Sequence, residues 1–193
     1  MEGIWEKNQE RRVMRIKRED TAALVIDIQE KLFPLMDRHE ALLKKCSQLI
    51  EGLKILGVPL IVTEQYPKGL GATIQEISSR TFSFPVVEKM AFSCCDEPNV
   101  LGNRAMKNSH TVLVFGIEAH VCVLQTVIDL TEKGYQPVVV ADCVSSRNRE
   151  DKQVAVERMR SEGAIITSCE SILLELARVS GTDEFKAISR LIK

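Results

Sequence analysis

HTVLVFGIEAHVCVLQTVIDLTEKG, residues 110–134, decides the fold. Its first eight residues (110–117) are apolar and β-branched almost without a break, the pattern of a strand covered on both faces. After Gly116-Ile117-Glu118 the apolar period changes to three and four over 119–134 and stops at Gly134, a residue suited to the end of a helix. A strand that passes into a helix without a long loop is half of a βαβ unit.

The same alternation extends in both directions. TAALVIDI (21–28), VPLIVTE (58–64), QPVVVAD (136–142) and AIITS (164–168) read as strands, and FPVVEK (84–89) as a shorter one. HEALLKKCSQLIEGLKILG (39–57) and NREDKQVAVERMRSEG (148–163) read as helices ending at Gly57 and Gly163; the second has acids early and bases late, as the helix dipole favours. CESILLELARVSGTDEFKAISRLIK (169–193) reads as two helices split at Ser180-Gly181, with Asp183 and Glu184 opening the second. YPKGLGAT (66–73) is a turn-rich loop, and its Gly69 and Gly71 lack the strand-to-helix setting of a dinucleotide site. The expected fold is a three-layer α/β/α sandwich around a six-stranded, mainly parallel sheet.

The 193 residues suffice for one domain with a proper core. That domain is expected over 14–193, after a flexible extension at 1–13. A net charge of -1 gives no general field for nucleic acid or an anionic membrane. No apolar run reaches the roughly 18 residues of a membrane span. MEGIWEKNQERRVMRIKRED (1–20) has no apolar secretory core, and its five acids make a poor transit peptide, so a cytoplasmic location is expected, with organellar import left open. The six cysteines (46, 94, 95, 122, 143, 169) are then thiols. Cys94-Cys95 reads as two small buried residues rather than a vicinal disulfide. Neither the cysteines nor the three histidines have zinc-site spacing, so no metal or cofactor is expected.

In an open parallel sheet, ligands bind beyond the carboxyl ends of the strands. Asp27, Lys89 and Cys122 all stand there. Asp27 interrupts an apolar strand, where an ionised carboxylate must be paired or functional. Lys89 ends the short strand. Cys122 falls in the first turn of a helix, where the dipole and unpaired N–H groups favour thiolate. Singly, each has an ordinary explanation: a capping or satisfied core Asp, an exposed Lys, a buried thiol. Together they form an acid/base, a cation and a nucleophile at neighbouring strand ends.

AALVIDIQEKLFP (22–34), VVEKMAFS (86–93) and VFGIEAHVCVLQT (114–126) resemble the Asp, Lys and Cys segments of the isochorismatase-like cysteine hydrolases. ADCVSSR (141–147) and FKAISRLIK (185–193) extend the resemblance, and TEQYPKGLG (63–71) is most similar to the YcaC-like and isochorismatase-domain subgroup. The resemblance implies that Asp27 takes the thiol proton, that Cys122 attacks an amide or related carbonyl to form an acyl-enzyme, and that Lys89 stabilises carboxylate and thiolate. It also implies a cis peptide at Ile117-Glu118, aiming the Glu118 and Cys122 N–H groups at one oxyanion, and assembly into a homo-oligomer. Two departures narrow the activity. Nicotinamidases of this superfamily carry a metal-binding Asp-x-His, and TEQYPKGLGATIQE (63–76) has no histidine. True isochorismatases typically lack the cysteine.

Gln29, Phe33, Gln65, Tyr66 and Phe92 flank strand ends and are the candidate lining of a pocket for a small-molecule substrate. His120 is a weak candidate base. Cys143 and Arg149 have the C-x5-R spacing of cysteine phosphatases, but the residues between lack glycine and Asp142 would repel phosphate. Two other functions stay open: a non-enzymatic oligomeric scaffold that retains the trio, motivated by the charged extension, and a thiol redox sensor.

Overall fold

The computed structural model describes residues 15–193; the extension expected at 1–13 lies outside the described residues. Six strands form one sheet: β1 Thr21–Ile26, β2 Leu60–Gln65, β3 Val86–Lys89, β4 Thr111–Ile117, β5 Gln136–Ser145 and β6 Ile165–Thr167. Their order is β3-β2-β1-β4-β5-β6, and every pairing is parallel. All residues of β1 and β4 are buried, which accounts for their unbroken apolar sequences.

Helices fill the connections: α1 His39–Ile55, the single turn α2 Pro67–Leu70, α3 Gln75–Thr81, the short α4 Pro98–Leu101 and α5 Arg104–Lys107, then α6 Leu124–Glu132, α7 Arg149–Ser161, α8 Cys169–Ala177 and α9 Asp183–Ile192. In α1 the buried side chains are Leu42, Cys46, Leu49, Ile50 and Leu53, one stripe at helical spacing. That stripe places α1 beside α3, α8 and α9, while α6 packs on α7. The loop expected at 66–73 contains α2, and α3 follows it at once. Among the described residues no helix is long and apolar enough to cross a membrane.

The chain steps outward from β1 to β3 and then returns to the other side of β1 as β4. The connections leaving β1 and β4 therefore diverge, opening a crevice at their carboxyl ends. One glycine sets how closely these strands approach. Gly116 lies opposite Ile26 in the register, at φ +121, and a Cβ there would come within 2.1 Å of the Ile26 carbonyl oxygen. The β4–β5 register shifts between Val114 and Gly116, after which β5 continues to Ser145, three residues beyond its expected end.

Candidate active site

Asp27 follows β1 with φ 52, turning its side chain out of the strand's alternation. Its Oδ1 accepts a 2.7 Å hydrogen bond from the Thr63 hydroxyl on β2. Lys89, the last residue of β3, places Nζ 2.7 Å from Asp27 Oδ2, with both side chains fully buried. Lys89 Nζ is thus the charged partner of Oδ2, as Thr63 is the hydrogen-bond partner of Oδ1. The same Nζ donates to Gln65 Oε1 at 2.7 Å, Phe92 O at 3.0 Å and Ala91 O at 3.2 Å. Burial pulls the Lys89 pKa down, but Asp27 and the neighbouring thiols Cys94 and Cys122 outweigh it and raise the pKa overall. The ammonium is therefore a fixed cation.

Cys122 is 6% exposed and lies in a π-helical turn, Ala119–Val123, that leads into α6. Such turns are rare and concentrate at functional positions. Here the N–H groups of Val121 and Val123 both bond the Glu118 carbonyl, at 3.1 and 3.2 Å, and that of Cys122 is passed over. The Ile117-Glu118 peptide is cis. Glu118 itself is held from the side, its Oε2 accepting 3.1 Å bonds from the Arg147 backbone N–H and Nε.

The thiolate expected from the helix terminus and the lysine is not the resting form. Burial first, and then the Asp27 carboxylate, push the Cys122 thiol well above its ordinary value; Lys89 opposes them without prevailing. The free site thus sets a neutral thiol beside the buried Asp27–Lys89 ion pair.

The five candidate lining residues divide. The Gln29 amide donates to Gln65 O at 2.9 Å and Gly71 O at 2.7 Å and accepts from Gln65 N–H at 2.8 Å. The Gln65 side chain joins Lys89 to Met90 O. Both glutamines are built into the wall. Phe33 is buried edge-on against His39, whereas Tyr66 and Phe92 are about half exposed, at 46% and 53%. His120 directs Nδ1 to Ser146 Oγ at 2.9 Å, so that nitrogen is not aimed at Cys122. Cys143 is fully buried and Arg149 exposed, which is no phosphate cradle. A separate cleft of about 660 Å³, lined by Asp142, Lys152 and Arg160 among others, lies toward β5 and β6. Cys94 and Cys95 are free buried thiols. Among the described residues no group of three or more His, Cys, Asp or Glu is arranged to hold a metal ion.

Thr63, Cys94, Thr126 and the Glu118–Arg147 pair escape a reading of the sequence. Threonines and small buried cysteines carry no signal until the strands that hold them are placed side by side.

The isochorismatase domain model matches residues 21–171. The chain belongs to the isochorismatase family. The secreted isochorismatase effector Isc1 of Phytophthora sojae (strain P6497) is 40% identical over 189 residues, covering 95% of this chain and 89% of that protein. Isochorismatase domain-containing protein 1 of Danio rerio is 38% identical, and the alignment covers 86% of this chain but 59% of that protein. Among solved structures, one described as the MAR1 ribonuclease of Caenorhabditis elegans superposes with a TM-score of 0.87 at 39% identity, covering 93% of this chain and 92% of the other. The YcaC gene product of Escherichia coli, described as an octameric hydrolase of unknown specificity, shares the fold, with a TM-score of 0.86 at 22% identity, covering 92% and 89%. This isochorismatase-family chain thus has an α/β fold generally used by hydrolases.

The buried thiols give this family member an alkaline limit. Burial raises Cys94 to about 11 and Cys95 to about 12, and raises Cys122 as well, from an ordinary value of 9.0. Above pH 9 the unfolded chain releases protons that the fold retains, so stability falls as pH rises. Lys89, raised above 10.5, adds its own loss only beyond that value. Unfolding free energies from urea titrations between about pH 9 and about pH 10.5 should fall by up to about 1.4 kcal/mol per pH unit for each retained thiol. Cys122→Ala should shallow the slope by one such contribution.

Proposed function

We propose that this protein is a metal-independent cysteine hydrolase acting on a small amide or related carbonyl compound. The observation that carries the reading is the fully buried Asp27–Lys89 ion pair set close enough to Cys122 for both charges to act on its thiol.

In the proposed reaction Cys122 Sγ attacks the carbonyl carbon as its proton passes to Asp27 Oδ2. The carbonyl electrons move to an oxyanion held by the Glu118 and Cys122 N–H groups, the kind of preorganised donor pair that contributes several kcal/mol to a transition state. Collapse breaks the C–N bond, and the amine leaves with the proton from Asp27. Water then attacks the thioester, returning the thiol and releasing a carboxylic acid. Lys89 stays protonated throughout and stabilises whichever partner carries the negative charge.

A small substrate follows from a trio that is nearly all inaccessible. The near-neutral charge of this chain, -1, supplies no general field to draw in a nucleic acid or a membrane surface. Homo-oligomeric assembly is part of the proposal. Val86, Met90 and Phe92 on and after the edge strand β3 are 53% or more exposed, a surface suited to burial against another copy, and the similarly folded YcaC product is described as octameric.

The test is ammonia release from a panel of small primary amides, with intact mass spectrometry of the quenched protein. We expect release with a transient adduct on Cys122, and loss of both in Cys122→Ala at unchanged thermal midpoint. Equal release by Cys122→Ala would overturn the covalent mechanism. A full panel without turnover, together with Cys122 alkylation indifferent to Asp27 and Lys89, would favour a scaffold.

A further inference from the structure

Base and nucleophile follow different strands, about a hundred residues apart in sequence, Asp27 just after β1 and Cys122 in the turn after β4, and a buried set of side chains outside the trio joins them. From the base, Thr63 Oγ1 donates to Asp27 Oδ1 at 2.7 Å, and the Cys94 thiol contacts Thr63 Oγ1 at 3.8 Å. From the nucleophile, Thr126 Oγ1 donates to the Cys122 carbonyl at 2.6 Å, and the Cys94 backbone N–H donates to Thr126 Oγ1 at 2.9 Å. Cys94 is the node: its sulfur leads to the base and its amide to the nucleophile. Thr63, Cys94 and Thr126 are all 0% exposed.

The two threonines serve different needs. A carboxylate in a β-to-loop turn can rotate about χ2, which exchanges its oxygens. A hydroxyl fixed on Oδ1 prevents that exchange and keeps Oδ2 turned toward Lys89 Nζ. At the other end, Thr126 lies four residues after Cys122 on the first turn of α6, where a threonine hydroxyl ordinarily bonds the carbonyl four residues back. Here the same oxygen also accepts from Cys94, so the π-helical turn is tied to the segment after β3 and cannot shift independently of it.

We propose that Thr63 and Thr126 are positioning residues which, through Cys94, lock the base Asp27 and the nucleophile Cys122 into one buried hydrogen-bonded chain. This rests on the hydrolase reading for the roles of Asp27 and Cys122, and its test needs no knowledge of the substrate.

The test is inactivation of the full chain by iodoacetamide near neutral pH, with kinact and KI resolved at Cys122, for Thr63→Val, Thr63→Ser, Thr126→Val and the double valine variant. In Thr63→Val the Asp27 charge remains but loses the hydroxyl that disperses it, so the carboxylate opposes the Cys122 thiolate more strongly, and kinact should fall by about tenfold, with KI unchanged. Thr63→Ser, which keeps the hydroxyl, should restore the rate. Because the chain is continuous, the double variant should lose less than the product of the single losses. Full additivity, or a Thr63→Val deficit that appears only in the thermal midpoint, would overturn the proposal. If Asp27→Asn leaves Cys122 kinetics unchanged, the hydrolase reading fails as well; if Asp27→Asn changes them and Thr63→Val does not, the positioning proposal alone fails.

Discussion

Asp27→Asn should make Cys122 more reactive toward iodoacetamide while abolishing amide hydrolysis. The two effects separate because the carboxylate has two jobs with opposite consequences for the thiol. In the free protein its negative charge is the second largest cause, after burial, of the raised Cys122 pKa. Asparagine removes that charge and leaves Lys89 as a fully buried cation without its Asp27 counter-ion. A stranded buried charge costs about 3–5 kcal/mol, and ionising a neighbouring thiol relieves part of it. Cys94 and Cys122 both interact with Lys89, and of the two only Cys122 has measurable exposure, 6% against 0%. We expect alkylation at pH 7 to accelerate by about tenfold, one unit of thiol pKa. Turnover should fall by about a thousandfold, since no group remains to protonate the leaving amine. Parallel measurements of alkylation and ammonia release decide the matter. A fall in both would show that Asp27 activates the thiol even toward an electrophile that needs no proton.

The second large effect is expected at a residue with no functional group. Gly116→Ala should prevent stable folding, with a loss above about 4 kcal/mol, in the range reserved for severe steric and backbone conflicts. The added Cβ would meet the Ile26 carbonyl oxygen at 2.1 Å and the Ile26 nitrogen at 2.7 Å, and φ at this position is +121. Both obstacles are backbone atoms of a central strand, so neither can move aside as a side-chain tip would. Gly134→Ala is the contrast: its φ of +84 is also unfavourable, but nothing lies within 4 Å of the Cβ, and a loss of about 1 kcal/mol is expected. Chemical denaturation of the two variants should separate crowding from conformational preference.

These positions also show what the sequence conveyed. The unbroken apolar runs of β1 and β4 announced strands buried on both faces, and alternation with helices implied the parallel order. Asp27 was legible as a charge in an apolar strand, and Lys89 and Cys122 followed because they end neighbouring elements. The ends of elements were less legible. β5 runs to Ser145 because a register shift lets it follow β4, a relation between strands that neither sequence contains alone. The charge state of Cys122 was read from the helix terminus and the lysine, both of which favour thiolate. Burial and the facing carboxylate, which prevail, depend on depth and proximity. For the same reason Thr63 and Thr126 were invisible: a threonine in a strand or a helix has an ordinary reason to be there.

The order of the strands also bears on synthesis. β1, β2 and β3 are complete by residue 89, so the Asp27–Lys89 pair can close while the rest of the chain is still on the ribosome. Until β4 emerges, however, β1 presents an open, wholly apolar edge, and such edges invite pairing with the wrong chain. The half of the protein that carries Asp27 and Lys89 therefore passes through its most aggregation-prone interval just before Cys122 arrives.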